Sequence, residues 1–373
     1  MDFQFSELQR GLRDSTRRLL AAKYSPARLR EHIDSQADYD TKLWRHGAKL
    51  GWPALAVPEA DGGLGQGIVE LTIVAIEHGR CLLASPFIPT AVLADAVARS
   101  AMENRSQTLS ALIDGSATAG WAFAERGRPF SWDQLQTRAY EEAHGYVITG
   151  AKAHTQDAGS ARWLLVEAIV DQQPARFVVE ADAPGVQLHR MRSLDVARSY
   201  YDVTLEEVHV PRDTLCSNGS NPAVDVERSS HIAAVLACAE MVGIGEQLLE
   251  MTVQYAKDRV QFGRPIGSFQ AVKHKCADMR LWLQASTATT YHAAMSLDAQ
   301  TDDCARAVSV AKAYVSQAIC RLTGEALQIH AGIGFTWEHD LHLYLRRART
   351  NALLYGDATH HRELLCQSLE RTR

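Results

Sequence analysis

The hydrophobic period of this chain changes twice along its length, and that change constrains the fold more than any other feature. From Phe5 to about Ala101 apolar residues recur three and four apart, through Leu8, Leu12, Leu19 and Leu20 and again at Leu43, Trp44 and Leu50, the spacing of one helical face. Between about Gly120 and Val210 the period falls to two, in short β-rich runs at Tyr146–Thr149, Trp163–Val166, Arg176–Val179 and Val203–Leu205. No helical stretch alternates with these runs, so they predict a compact antiparallel sheet or barrel rather than a parallel sheet with crossover helices. After the loop Ser217–Pro222 helical spacing returns at Met241, Ile244, Leu248, Met251 and Tyr255. It appears again from Ala307 to Ile329, closed by Gly332 and Gly334. The expected class is α+β: an N-terminal helical domain over 1–117, a central antiparallel, barrel-like β domain over 118–222, and a C-terminal four-helix bundle over 223–373.

Several function classes are set aside at this level. The formal charge of -5 is spread along the sequence without a basic stripe, so a nucleic-acid partner is not expected. The stretch Met1–Arg10 is polar, which argues against a secretory leader or a membrane span, and a cytoplasmic protein is the expectation. The seven cysteines are scattered with no CxxC pair, which speaks against a disulfide framework or a zinc site. His360 and His361 have no carboxylate at metal-ligand spacing, so no metal is assigned.

Three segments carry chemistry. Asp258–Gln270 reads DRVQFGRPIGSFQ, in which a guanidinium fork suits a diphosphate and an aromatic ring suits the edge of a planar cofactor. Gln328–Phe335 reads QIHAGIGF, where glycines permit close backbone approach. Leu50–Gly65 is a turn rich in Gly and Pro whose glycines need no phosphate to explain them. Together and in this order they resemble the RxxFGxxIxxxQ, QxxGGxGF and GLGxxPExxGGxG segments of the acyl-CoA dehydrogenases. The resemblance covers essentially the whole chain and implies the same helix, β, helix arrangement.

It also implies FAD as cofactor, an acyl-CoA substrate, an electron-transfer flavoprotein as electron acceptor, and a homo- or hetero-oligomer built as a dimer of dimers. Arg259 would meet the FAD pyrophosphate, Phe262 and Gln270 would line the cofactor across a subunit interface, and Gln328 and Gly332 would approach the diphosphate of a neighbouring subunit. A monomer should then not retain flavin.

Departures from the family pattern are as informative. The run Trp121–Arg128 stands where the family places Thr and Ser contacts to the flavin and has neither, and His154 stands where a Trp is common beside it. Family chemistry needs a carboxylate to remove the α-proton of the thioester. Counting from Gln328, the commonest position for that Glu falls on Tyr355, a poor base with an ordinary pKa near about 10. Counting back from Tyr255, the alternative position falls on Ala233.

Glu240, seven residues after Ala233, lies on the same helical face about 10 Å further along and is the candidate base; the competing reading is a helix carboxylate paired with a basic neighbour. Asp357 is the next candidate, with a helix cap as its alternative. The RVQFGRPIGSFQAVKH segment and the YGDxxxHRE ending resemble lines of the family that act on steroid, branched or aromatic thioesters as heteromeric pairs. The expected function is an FAD-dependent acyl-CoA dehydrogenase for a bulky thioester, alone or in a heterotetramer. A flavin-holding partner subunit without chemistry of its own, and a flavin oxidase or monooxygenase, are the alternatives.

Overall fold

A computed structural model describes residues 4–217 and 221–371; residues 1–3 of the polar N-terminal stretch and 218–220 of the predicted loop lie outside the described residues. Six helices open the chain: α1 (Glu7–Lys23), α2 (Pro26–Ser35), α3 (Thr41–Lys49), α4 (Ile68–Cys81), α5 (Phe87–Arg99) and α6 (Arg105–Ile113). Ser6 starts α1 through a reciprocal pair, Gln9 N donating to Ser6 Oγ at 3.1 Å and Ser6 N to Gln9 Oε1 at 2.9 Å. The turn before α4 is steric in origin. A Cβ on Gly63 would lie 2.1 Å from the Val57 carbonyl oxygen, so only glycine lets the chain fold back there.

The β domain contains β1 (Ala119–Ala122), β2 (Arg138–Glu142), β3 (Gly145–Gln156), β4 (Trp163–Val170), β5 (Gln173–Glu180), β6 (Val186–Arg190) and β7 (Tyr200–Pro211). The order β1-β4-β2-β3-β7-β6, with β5 also on β4, gives one sheet. Its hairpins and the β3–β7 ladder are antiparallel as the alternating runs predict. The short β1 ladder on β4 and the single Arg138–Ile169 pair are parallel, which the sequence pattern did not anticipate. Period two reveals a strand and says nothing of its partner's direction.

The C-terminal part holds α7 (Pro222–Asp258), the hairpin β8 (Val260–Gln261) and β9 (Arg264–Pro265), α8 (Gln270–Asp298), α9 (Cys304–His330), α10 (Leu341–Leu353) and α11 (Ala358–Arg371). The three long helices pack on one another, α10 joins α7 and α9, and α11 lies along α9. By length and a mean hydropathy of 1.6, α7 could cross a membrane, yet 83% of that window is buried in the protein, as expected of a central core helix. Its close contact with α4 depends on two glycines. A Cβ on Gly79 would meet the Glu240 carbonyl oxygen at 2.0 Å, and one on Gly243 would meet that of Ile76 at 1.9 Å. The helices before and after the sheet consequently share one hydrophobic core, while the sheet closes over a smaller one around Ile148, Leu164, Phe177 and Val203.

Candidate active site

A cavity of about 380 Å³ opens between the β domain and the turn joining α10 to α11. Aromatic side chains wall it: Trp121 and Tyr355 stack with ring centroids 5.9 Å apart and planes at 23°, and Phe123 packs on Phe130 at 4.4 Å. His154 opens on the same space. It sits in a bulge where the β3–β7 register slips between Lys152 and Thr155, with φ at 57°, and a bulge re-aims the side chain it carries. Desolvation lowers the pKa of its imidazole, and that of His360 across the cavity, so both are neutral at pH 7.

Two carboxylates line this cavity and both have other duties. Glu125 accepts from Lys152 Nζ at 2.9 Å, Thr137 Oγ1 at 2.7 Å and the backbone N–H groups of Gln136 and Thr137. Burial opposes its ionisation, but Lys152 and Thr137 outweigh burial and hold its pKa below the ordinary value. Asp357, at the exposed rim, caps α11 by accepting from His360 N at 2.8 Å. Burial raises the pKa of Tyr355 far above its ordinary value, which keeps the phenol protonated.

Glu240 is not among the residues lining the cavity. Only 1% exposed, it receives Arg198 through both oxygens, at 2.7 and 3.0 Å, and Asn351 Nδ2 at 2.9 Å. Burial by itself would raise its pKa, yet Arg198, with Arg347 and Asn351, holds the carboxylate ionised and below the ordinary value. The expectation of a substrate-facing base at Glu240 is therefore corrected by its placement: this is the paired carboxylate of the competing reading. The pair joins the loop before β7 to α7 and α10, and a second buried pair, Asp195 with Arg347, reinforces the junction.

The other expected residues gather at one end of the bundle, away from His154's cavity lining. Arg259 closes α7, accepting Ile266 N at 2.8 Å, and its side chain is exposed. The two-residue turn of the β8–β9 hairpin places Phe262 at φ 53° and Gly263 at φ 75°, leaving Phe262 92% exposed. Gln270 begins α8, and Gln328 stands exposed in the last turn of α9. Tyr255 stacks on His330 at 4.4 Å and 20°, holding the end of α7 against that of α9. In front of Gly332 a Cβ would meet nothing within 4 Å. An exposed guanidinium, two exposed amides and an open glycine turn fit an anionic diphosphate delivered from outside the chain. By contrast, the Trp121–Arg128 wall of the cavity offers no hydroxyl to a flavin ring.

Known proteins place this architecture. The profile of the acyl-CoA dehydrogenase N-terminal domain matches residues 6–116, and that of the acyl-CoA dehydrogenase C-terminal domain matches residues 226–370. The chain belongs to the acyl-CoA dehydrogenase family. Its members are FAD-dependent oxidoreductases acting on CH–CH bonds, and the chain's fold is theirs throughout. It is 32% identical to the acyl-CoA dehydrogenase IpdE2 of Mycobacterium tuberculosis over 92% of this chain and 91% of that protein. Among solved structures, the ChsE4–ChsE5 complex from Mycobacterium tuberculosis superposes with a TM-score of 0.92 at 27% identity, covering 100% of both chains. The Tcur3481–Tcur3483 steroid ACAD superposes with a TM-score of 0.90 at 27% identity and 98% coverage of each chain.

Arg198, Asn351, Phe130 and His360 were not legible as site neighbours. Arg198 lies 42 residues from Glu240 and 153 from Asn351, and nothing local in a polar loop announces such pairings.

Proposed function

We propose that this chain is one subunit of a mixed, FAD-dependent acyl-CoA dehydrogenase acting on a bulky, steroid-like CoA thioester, with the α-proton taken by a carboxylate of the partner subunit. The observation that carries this reading is the cavity's chemistry: Tyr355 stands where the family's base is most common, Glu125 is fully engaged, and Asp357 is a cap. The steroid class of one structural relative and the two-protein complex of another support the same choice.

Arg259, Gln270, Gln328 and Gly332 would hold the diphosphate end of FAD at the bundle end, with Phe262 covering it; His154 would face the flavin edge of this chain's own cavity. FAD, when bound, accepts the β-hydride of the thioester, and the electrons leave to an electron-transfer flavoprotein. The part played by this chain is binding and orientation. Arg259 neutralises phosphate charge, the exposed Phe262 seals the contact against water, and the Trp121–Tyr355 wall bounds the space left for an acyl group.

Visible spectra of the chain purified alone and co-purified with a homologue encoded beside it, followed by anaerobic titration with acyl-CoA esters, test the proposal. The expected result is a colourless single chain and a yellow complex bleached by a bulky thioester. A yellow homomer bleached by the same ester would overturn it.

A further inference from the structure

The turn that carries Tyr355 is held from two sides by buried groups that are not themselves among the residues lining the cavity. Tyr355 and Gly356 follow one another in the left-handed region, at φ 58° and 83°, a conformation that a tyrosine does not adopt unaided. Just before it, α10 ends with unpaired carbonyls. Lys312, on α9 and fully buried, donates its ammonium to the carbonyl oxygens of Asn351 at 3.0 Å and Ala352 at 3.1 Å, and to Ser316 Oγ at 3.3 Å.

Among the described residues no carboxylate lies within salt-bridge distance of Lys312, whose ammonium instead serves the negative end of α10. Burying an ammonium without a counter-ion is costly, and its pKa is lowered by desolvation to about 8. On the other side His361, in the first turn of α11, reaches the Tyr355 carbonyl oxygen with Nε2 at 3.0 Å and Ser309 Oγ with Nδ1 at 3.2 Å. A carbonyl oxygen only accepts, so Nε2 carries the proton and Nδ1 accepts from the serine. Its ring also packs on Gly356, where a Cβ would lie 2.9 Å from Nε2.

We propose that Lys312 and His361 are positioning residues: together they set the Leu354–Asp357 turn so that the Tyr355 ring lies against Trp121 and fixes the width of the cavity. Ser309 and Lys312 are three residues apart on α9, so one face of that helix presents both the tautomer-setting hydroxyl and the ammonium. Breaking either contact releases a strained turn, and the ring that walls the cavity turns with it. The catalytic meaning of this, though not the geometry, rests on the cavity being the substrate-facing one.

The test incorporates 3-fluorotyrosine at position 355 of the full chain and follows its fluorine NMR signal at pH 7 in the parent, H361F, H361Q and K312M. H361F fills the space without a donor, whereas H361Q places an amide N–H near Nε2. A signal shifted or split in H361F and K312M and restored in H361Q supports the proposal; an unmoved signal in H361F and K312M overturns it, whatever happens to the melting temperature. Should the larger changes prevent folding, S309A removes one hydroxyl, and a signal unmoved by it overturns the proposal equally. Thioester titration of the assembled complex separates the two claims. A moved signal with unaltered thioester affinity upholds the positioning role and instead defeats the reading of this cavity as the substrate's.

Discussion

The two regions expected to meet cofactor are built in opposite ways. The cavity beside β3 is finished by the chain itself: aromatic rings cover one another, Glu125 has four donors, and the Arg198–Glu240–Asn351 cluster locks the walls from behind. The bundle end is left bare, with Phe262 almost wholly exposed and the Arg259 side chain exposed beside it. Buried polar groups demand partners within the fold, so the cavity's residues are bound up with stability. Exposed ones contribute little to folding and are available to another molecule. Perturbing the first region should cost stability, and perturbing the second should cost only what the second chain and the cofactor supply.

The largest effect is expected from Glu240→Ala, which strands Arg198 in the interior. Loss of one member of a buried, hydrogen-bonded pair should lower unfolding free energy by about 3–5 kcal/mol in urea titrations. A loss below about 1 kcal/mol would mean the cluster does not lock the walls.

Next comes a pH effect in the shared core behind the cavity. His78, wedged between Trp52 and Phe87 with neither ring nitrogen partnered among the described residues, has its pKa pushed by burial from 6.5 to about 3. Between those values the unfolded chain binds a proton that the folded chain refuses, so stability falls as pH drops from 6.5 towards 3. At pH 5 this amounts to about 2 kcal/mol, from roughly 1.4 kcal/mol per unit. His78→Phe should recover that at pH 5 and change little at pH 7.5, measured by thermal melts across pH. An unchanged slope would show that His78 is protonated or hydrated in the folded state.

A smaller effect, of another kind, belongs to the bundle end. Arg259→Ala should weaken flavin retention by the assembled complex about tenfold, the worth of one charge-assisted contact, while the urea midpoint of the single chain barely moves. Equal loss of stability and of flavin would erase the distinction between the regions. Smallest of all, Tyr355→Phe keeps the ring against Trp121 and removes only a hydroxyl, so turnover by the complex should stay within about twofold. A loss of a hundredfold or more would make the phenol itself part of the chemistry.

The fold was legible to the extent that periodicity reports burial. The four β runs and the two long helices read from apolar spacing all lie within observed elements, whereas the helix end, hairpin and helix start within Asp258–Gln270 emerged only from the structure. β1, β2 and β6 escaped notice because they are four or five residues long, too short for an alternation to declare itself. The site was legible only in part. Tyr355 and His154 were singled out from their places in motifs and do share a cavity. Glu240 was chosen by helical phase, which gives the face a residue occupies and not what lies opposite it, and an arginine from the β domain lies there.

By itself, then, the amino-acid sequence determined the helix, sheet, helix order, the family, and the absence of a glutamate at either customary base position, because each depends on residue type and spacing along one strand of chain. The tertiary structure alone decided which carboxylates are free. Glu240, Glu125 and Asp357 are chemically interchangeable in a sequence, and only the packing of α7, α10 and the β domain makes one a buried ion pair, one a braced wall and one a helix cap. Desolvation and partner charge, which set whether a carboxylate can take a proton, are properties of that packing and are written in no single segment.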